Sequence, residues 1–514
     1  MFGLLLAWLS LNLDNSNLGQ TLTYDELSVE GVRAYFHNMS RGGETHFFIC
    51  PNAQNTSYDS KVWDPVWHVD PRTKDTSKSV AWARNYRILH ERGVDWVQVM
   101  VDACRERKVS PWMSMRMNDI HNIGDYVSWA SSTFWLDHPE FRRVPNKLKG
   151  GSFDADLALD YTHREVREYA LSLVREMLER WDVDGIECDW LRFVHHVNAE
   201  AERTRTGCVA LTEFMREVRR IADEVGVRRG RHIGVSVRVA TMPEAAYGLG
   251  CDAVDWAAKG YVDVVMPCNF FSTSDFAADW AWWKKRLHEV NPKVKLVGGV
   301  DFMGVNREGL GPKGFTDGEL SGYLERMVAA GISDVGFFNL FGYQATETRK
   351  YIQVDGMPNL ADWVRMRGRT YPVTYHDAVP EGFASGQVLP AKLDVRREFP
   401  ISIGKVGRAG GVSVVLALDQ DVPAGTSELG LDVLLNGVKA TGVSSVPVAT
   451  WMPGAKTTKT VLKLVFPLSA VKDGENVVIV GALQTPLKLR YVALHMDKDL
   501  PSESGMERAD GPRE

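Results

Sequence analysis

Glu187 and Asp189 lie two residues apart in the short, largely apolar segment 184–193. If this segment is a β-strand, the alternation of side chains places both carboxylates on one face and the apolar residues on the other. Burying two carboxylates without partners is energetically costly. The segment therefore predicts either an active-site strand or a buried ionic network, and the rest of the sequence favours the active site.

Two carboxylates on one strand suit acid–base chemistry, which needs one group protonated and another ionised. We predict Asp189 as the nucleophile or base. The general acid is predicted to be Glu187 or Asp301, and Asp119 is a reserve acid. A structural role as core ion pairs is the alternative for any one of these residues taken alone.

Polar and charged residues also occur at the ends of other predicted strands, where a structural barrel core would carry Val, Ile or Leu. Arg116 and Arg238 either keep a carboxylate ionised or bind an anionic substrate through their planar guanidinium groups. Trp63 and Trp67 follow the second predicted strand and are expected either to stack on a sugar or to pack within their loop. The predicted substrate-binding residues are Asn52, Trp63, Trp67, Arg116, Asn118, Asp119, His121, Trp190, Arg192, Arg238, Asn269 and Asn339.

Glycoside hydrolysis is the reaction that best fits these residue types, because it needs one carboxylic acid and one carboxylate as base or nucleophile. Asn52, Asn118 and Asn269 would then hydrogen-bond sugar hydroxyls. No cofactor and no metal are expected. A metal-dependent hydrolase is disfavoured because no His-x-His follows the first predicted strand, although a structural calcium ion fits Asp and Asn ligands. A non-catalytic glycan-binding barrel is the main alternative.

Composition argues against nucleic acid and membrane partners and leaves the oligomeric state open. The 514 residues carry a net charge of −6, which gives no basic surface for nucleic acid, and no apolar run is long enough to cross a membrane. The six cysteines show no zinc spacing and suit a reducing compartment. The apolar N-terminus lacks a cationic region, so we expect a first strand there rather than a signal peptide. A signal lost upstream would instead place the protein in the periplasm or outside the cell.

Strand and helix patterns alternate through the first two thirds of the chain, which predicts an α/β protein with a (β/α)8 TIM barrel over residues 1–368. No Gly-rich phosphate-binding turn supports a doubly wound sheet instead. Three tryptophans on one predicted helix, Trp280, Trp282 and Trp283, are expected to pack against the barrel or the C-terminal domain. The predicted strands are 2–12, 45–52, 110–119, 185–193, 232–240, 262–270, 294–301 and 334–341.

The pattern changes near residue 370, where helical periodicity stops and short alternating runs begin. Turn signals such as Asn436-Gly437 and Asp473-Gly474 separate these runs. They predict a C-terminal β-sandwich over residues 369–498, followed by a polar, disordered tail over 499–514. The sandwich either binds glycan or supports the barrel, and the short linker favours support.

The fourth predicted strand resembles the D-G-x-D-x-D-W-E motif of family 18 chitinases, with Glu187 and Asp189 at the two inner acidic positions. The catalytic Glu of those chitinases falls on Leu191, so their mechanism does not carry over. The layout over residues 1–365 resembles the bacterial glycosyl-hydrolase-like family 10 proteins, and this resemblance implies action on a polysaccharide or cell-wall glycan. Their D-G-(I/V)-x-x-D pattern is matched by Asp184, Gly185, Ile186 and Asp189.

Overall fold

The structure is a computed structural model of the 514-residue chain. Asn339, which was predicted to bind substrate, lies outside the residues that it describes, as do residues 2–7 of the predicted first strand. The described residues are 8–40, 43–68, 70–72, 81–123, 130–149, 154–269, 276, 278–301, 305–306, 312–313, 315–338, 360–373, 389–421, 431–452, 455–481 and 487–500.

Eight parallel strands form a closed barrel in the described chain, as the sequence predicted. Each strand pairs with the next, Cys268 of the sixth pairs with Gly299 of the seventh, and the eighth pairs with the first. The short strand Lys295–Leu296 also pairs with the sixth. The strands are β1 (Leu9–Leu13), β2 (His46–Ile49), β3 (Ser110–Arg116), β4 (Gly185–Asp189), β5 (Gly234–Ala240), β6 (Val264–Cys268), β7 (Gly298–Asp301) and β8 (Val335–Phe338).

Helices follow the barrel strands and bury one apolar side against them. Side-chain caps define several of their starts: Asp95 accepts from the backbone N–H of Gln98, and Thr316 with Glu319 forms a capping box. No described helix is long and apolar enough to cross a membrane. The helices are α1 (Asn17–Thr21), α2 (Val29–Met39), α3 (Ala81–Glu91), α4 (Trp96–Glu106), α5 (Thr133–Asp137), α6 (Arg164–Arg180), α7 (Ala199–Arg203), α8 (Gly207–Arg229), α9 (Pro243–Gly248), α10 (Ala253–Ala258), α11 (Trp280–Val290), α12 (Asp317–Ala329), α13 (Leu360–Arg365) and α14 (Val448–Trp451).

The amino-terminal half of the barrel interior is filled by a separate apolar cluster, which includes Trp8, Phe48 and Trp112. Trp112 needs glycine at the start of the next two strands. A Cβ at Gly185 would lie 2.4 Å from its ring, and one at Gly234 would lie 2.3 Å from it. The carboxyl-terminal half of the interior is lined by polar and charged side chains. The barrel interior therefore has an apolar amino-terminal half and a polar carboxyl-terminal half.

The predicted alternation of strand side chains is confirmed in β3, β4 and β5. Their apolar residues, such as Met115 and Val237, belong to the core between strands and helices. The β4 strand ends at Asp189 rather than at residue 193, because its carboxylate accepts the backbone N–H groups of Leu191 and Arg192 and turns the chain. Strand register aligns two polar rows across the interior, Ser114–Glu187–Ser236 and Arg116–Asp189–Arg238.

The C-terminal part contains two antiparallel sheets that enclose a second apolar core, as predicted for a sandwich. One sheet has the order β9-β18-β12-β16-β15, with β10 paired to β18, and the other has the order β11-β17-β13-β14. The strands are β9 (Arg369–Pro372), β10 (Ala391–Lys392), β11 (Arg397–Ile403), β12 (Val412–Leu418), β13 (Val433–Leu435), β14 (Val438–Lys439), β15 (Gly442–Val446), β16 (Thr460–Phe466), β17 (Gly474–Val480) and β18 (Lys488–Met496).

Helix α12 joins the barrel to the sandwich through two buried glutamates. Glu325 accepts from the Tyr371 hydroxyl at 2.9 Å and from the backbone N–H groups of Gly404 and Lys405 at 2.9 and 2.7 Å. Glu319 accepts from the Tyr491 hydroxyl at 3.0 Å. These bonds support the prediction that the sandwich supports the barrel.

We predict that Gly322→Ala destabilises the protein, because a Cβ at this position would lie 2.3 Å from the backbone oxygen of Thr370. Overpacking of this kind costs about 1–3 kcal/mol and exceeds the roughly 1 kcal/mol that alanine gains in a helix. Urea denaturation measures the change. The matched control is Gly442→Ala, whose Cβ would meet no atom within 4 Å. Equal midpoints for the two variants would contradict the close packing of α12 on β9.

Candidate active site at the carboxyl end of the barrel

A cavity of about 210 Å³ lies at the carboxyl ends of strands β1 to β4. This mouth cavity is at the end where barrel enzymes carry their catalytic groups. Its wall comes from the loops after the first four strands and from the end of β3. The polar residues that line it include Asp14, Gln54, Asn55, Arg116, His121 and Arg192.

Asp14 is the carboxylate that lines the mouth cavity, and it was not predicted from the sequence. It follows β1 directly and is 7% exposed. Its Oδ2 lies 2.5 Å from Nη2 of Arg116 and 3.9 Å from Nη2 of Arg192. Burial favours the neutral acid, but the two guanidinium groups outweigh it and lower the pKa of Asp14 below its ordinary value. Asp14 is therefore ionised at neutral pH.

Asp119, His121 and Arg192 form a chain of hydrogen bonds beside the cavity. Nδ1 of His121 lies 2.8 Å from Oδ1 of Asp119, and its Nε2 lies 3.1 Å from Nη2 of Arg192. A carboxylate only accepts and a guanidinium only donates, so these partners place the proton of His121 on Nδ1. Burial, with help from Arg192, lowers the pKa of His121, which agrees with a neutral ring.

Asp119, the predicted reserve acid, is paired with His121 and Arg116 and does not line the mouth cavity. Burial would favour its protonated form, but the hydrogen bond from His121 and the positive charges of Arg116 and Arg192 outweigh burial and hold the pKa of Asp119 well below its ordinary value. Nη1 of Arg116 also donates to Oδ2 of Asp119 at 2.8 Å. Asp119 therefore carries no proton to donate at neutral pH, and its role is to orient His121 and Arg116.

Asp189 is fully buried and accepts four hydrogen bonds. Nε and Nη2 of Arg238 donate to its two oxygens at 3.0 and 2.8 Å, and Oδ1 also accepts the N–H groups of Leu191 and Arg192 at 3.0 and 3.1 Å. The Phe338 ring covers Arg238, with the guanidinium carbon 3.6 Å from its centre. In this geometry neither oxygen of Asp189 is open to a substrate, which counts against its predicted role as nucleophile or base. Arg238 is likewise withdrawn from substrate binding.

Glu187 lies in the row below Asp189 and is 2% exposed. Its Oε1 accepts from the Ser114 hydroxyl at 2.8 Å. Burial, together with the negative charge of Asp189, raises the pKa of Glu187 to about 7. Glu187 therefore keeps its proton up to near-neutral pH, as a general acid must. It does not line the mouth cavity, and neither does the equally buried Asp301.

The three asparagines predicted to bind sugar hydroxyls use their amides on the main chain. Asn52 bonds both backbone groups of Arg116, and Asn269 bonds both backbone groups of Asp301. Asn118 accepts from the N–H of Leu159 and donates to its carbonyl oxygen. These amides hold the strand ends and loops in place, which counts against their predicted role in binding sugar hydroxyls.

The predicted aromatic contacts also lie elsewhere. Trp63 stacks on Tyr169 with 4.4 Å between ring centres. Trp67 stacks on His90 and lines a different cavity. Trp190 is buried in the layer between strands and helices, so a substrate cannot reach it. None of these three rings lines the mouth cavity, where the described aromatic residue is Trp82.

No group of three or more His, Cys, Asp or Glu side chains in the described ranges is arranged to hold a metal ion. Arg116, His121 and Arg192 are the predicted substrate-binding residues that line the mouth cavity. A local signal for Asp14 did exist, since it is an acidic residue directly after a strand. The predicted strand stopped at residue 12, however, and Asp14 was passed over.

No protein-family model matches the sequence, and no curated protein matches it. Solved structures of several carbohydrate-active enzymes resemble the fold. They include a cycloisomaltooligosaccharide glucanotransferase from a Paenibacillus species, with 10% identity, TM-score 0.35 and 94% of this chain covered. This chain spans 57% of that protein's length.

Two further structures show the same kind of likeness. The family 18 N-acetylglucosaminidase of Paenibacillus barengoltzii has 15% identity and TM-score 0.29, with 58% of this chain and 68% of that chain covered. The PgaB glycoside hydrolase domain of Bordetella bronchiseptica has 8% identity and TM-score 0.42, with 68% and 100% covered. At these values the similarity carries no argument about the chemistry of this chain, and membership in family 10 stays a prediction.

We predict that Glu187→Gln changes the pH dependence of stability. The pKa of Glu187 rises from 4.5 in the unfolded chain to about 7 in the fold. Between these values the folded state keeps a proton that the unfolded state releases, so this group makes the wild type less stable as pH rises from 4.5 to 7. Glutamine removes the effect, and the variant should gain roughly 2–3 kcal/mol relative to wild type across that window.

Urea denaturation at several values between pH 4 and pH 8 measures this difference. Asp102→Asn, at an exposed position of α4, is the matched control and should run parallel to wild type. A constant offset between Glu187→Gln and wild type over the whole range would show that Glu187 does not hold a proton in the fold.

Proposed function

We propose that this protein is a glycoside hydrolase that acts on a polysaccharide or complex glycan at the mouth cavity. The observation that carries this proposal is the opposite protonation of two carboxyl groups. Asp14 is ionised on the cavity wall, whereas Glu187 in the barrel interior has a pKa of about 7. Environments that separate two carboxyl groups in this way provide the acid and the base that glycoside hydrolysis needs.

In this proposal Asp14 is the base or nucleophile, in place of Asp189, because it is ionised and lines the cavity. Glu187 is the general acid, and Asp301 is the alternative acid at the end of β7. Glu187 does not line the cavity, so this proposal requires a path for its proton from the barrel interior to the glycosidic oxygen. Arg116 and Arg192 hold Asp14 in place and keep it charged.

The charges favour a neutral glycan. At the mouth cavity, Arg116 and Arg192 face Asp14 and Asp119, and His121 is neutral, so the cationic and anionic groups balance. Arg238 is paired with Asp189 inside the barrel. The arginines that suggested an anionic substrate are thus occupied by the protein's own carboxylates.

A non-catalytic glycan-binding barrel is the second candidate. The complete burial of Asp189 and the near-complete burial of Glu187 and Asp301 favour it, because such carboxyl groups can serve as core structure. In that case the mouth cavity would bind sugar through Arg192, Gln54 and Asn55 without cleaving it.

We predict hydrolysis of at least one neutral polysaccharide when the purified protein is assayed against neutral and acidic panels with analysis of reducing ends. Asp14→Asn and Glu187→Gln should each lower kcat by about 100-fold or more, while KM changes little, because both groups act on the proton or on the reacting carbon. Asp102→Asn is the control and should keep wild-type rates. The kcat of the wild type should fall above about pH 7, as Glu187 loses its proton.

Three outcomes would count against the proposal. Binding of a glycan without any cleavage would favour the second candidate. Full activity of Asp14→Asn, with its fold intact, would remove Asp14 from catalysis. Cleavage of acidic polymers alone would refute the argument from charge balance.

A further inference from the structure

A second concave site, which we call the outer groove, lies among helices α9, α10 and α11 on the outside of the barrel. Its volume is about 750 Å³, against about 210 Å³ for the mouth cavity. This volume is typical of small-molecule sites. The residues that carry the argument are Tyr247, Asp252, Asp279, Trp282 and Arg286.

The tryptophans of α11 divide into two kinds. Trp280 and Trp283 are buried, as the sequence predicted, and Nε1 of Trp283 donates to the carbonyl oxygen of Thr241 at 2.7 Å. Trp282 is only partly buried and lines the outer groove, with its ring nearly perpendicular to that of Trp283. Tyr247 of α9 adds a second ring and is 39% exposed. Two accessible rings from different helices thus share one concavity.

The outer groove also presents hydrogen-bond acceptors. Asp252 and Asp279 cap helices α10 and α11, and each uses Oδ1 to accept a backbone N–H, at 3.0 and 2.9 Å. Neither forms an ion pair within the described ranges, so Oδ2 of each is available to a ligand. Arg286 adds hydrogen-bond donors and a positive charge to the groove. Its Nη1 lies 2.6 Å from Oε2 of Glu289.

The position of the outer groove follows from the helices that line it. Helix α9 starts at Pro243, soon after β5 ends at Ala240, and Trp283 contacts the chain between them. The outer groove therefore begins near the carboxyl end of β5 and extends along α10 and α11 to Ala258 and Val290, the last residues of those two helices.

We propose that the outer groove is a second, non-catalytic binding site for a carbohydrate chain. The flat faces of Trp282 and Tyr247 cover the apolar C–H faces of sugar rings, and the free oxygens of Asp252 and Asp279 accept from sugar hydroxyls. Rings and carboxylates also recognise quaternary ammonium groups. The sugar is favoured because the space greatly exceeds one ammonium group and because the acceptors lie along the groove wall.

Affinity electrophoresis in native gels tests this proposal with four soluble polysaccharides: hydroxyethylcellulose, glycol chitin, dextran and mannan. The gels use wild type and the Asp14→Asn background, so that cleavage and binding are measured apart. We expect at least one polymer to retard the protein in both backgrounds. Trp282→Ala and Tyr247→Ala should each raise the dissociation constant about fivefold or more, as loss of an aromatic contact does.

Trp451→Ala is the matched control, because this partly buried tryptophan lies on the sandwich, and it should leave retardation unchanged. Melting temperatures establish that each variant is folded, and Tyr247→Ala covers the case in which Trp282→Ala unfolds. The proposal is overturned if none of the four polymers retards the protein, or if folded Trp282→Ala and Tyr247→Ala bind like wild type. Binding of tetramethylammonium in the absence of polymer binding would assign the outer groove to a cation instead. Loss of hydrolysis in Asp14→Asn with retained retardation leaves this proposal standing.

Discussion

The buried ion pair between Asp189 and Arg238 is the interaction on which the carboxyl end of the barrel depends. Two charges buried this deeply are tolerated only with close geometry and further hydrogen bonds, and breaking such a pair typically costs about 3–5 kcal/mol. Asp189 has those bonds, because it also accepts two backbone N–H groups at the start of the next loop. One of them belongs to Arg192, so the pair positions the guanidinium that reaches Asp14 and His121.

The same pair also explains the unequal state of the carboxyl groups. Asp14 and Asp119 each contact Arg116, and Asp189 contacts Arg238, so each of these carboxylates has a cation at hand. Glu187 instead accepts a hydrogen bond from the neutral Ser114 hydroxyl, and it lies next to the negative charge of Asp189. The protonated form of Glu187 is then lower in free energy, because ionisation would place a further unpaired charge in the interior. The difference in protonation between Glu187 and the other carboxyl groups therefore follows from which of them has an arginine as a partner.

On the outside of the barrel, single helices also combine a packing role with polar or exposed contacts. Helix α12 turns two glutamates toward tyrosine hydroxyls and backbone N–H groups of the sandwich, and these hydrogen bonds join the two parts of the chain. Helix α11 turns two tryptophans inward and leaves Trp282 beside an open groove. A single helix therefore both completes the core and offers a surface, and the difference lies in the 100° rotation between successive residues.

The sequence by itself determined the eight-fold alternation of strands and helices, the change to a sandwich near residue 370 and the inward direction of Glu187, Asp189, Arg116 and Arg238. These features are local, because strand side chains alternate with a period of two whatever surrounds them. Only the tertiary structure decided which of the inward-facing side chains are accessible from the mouth cavity. Arg238 meets Asp189 across 49 positions of sequence, and Asn52 meets the backbone of Arg116 across 64. Burial and pairing come from such distant contacts, and for that reason the chain pattern pointed to Asp189 and the asparagines while Asp14 emerged only from the folded barrel.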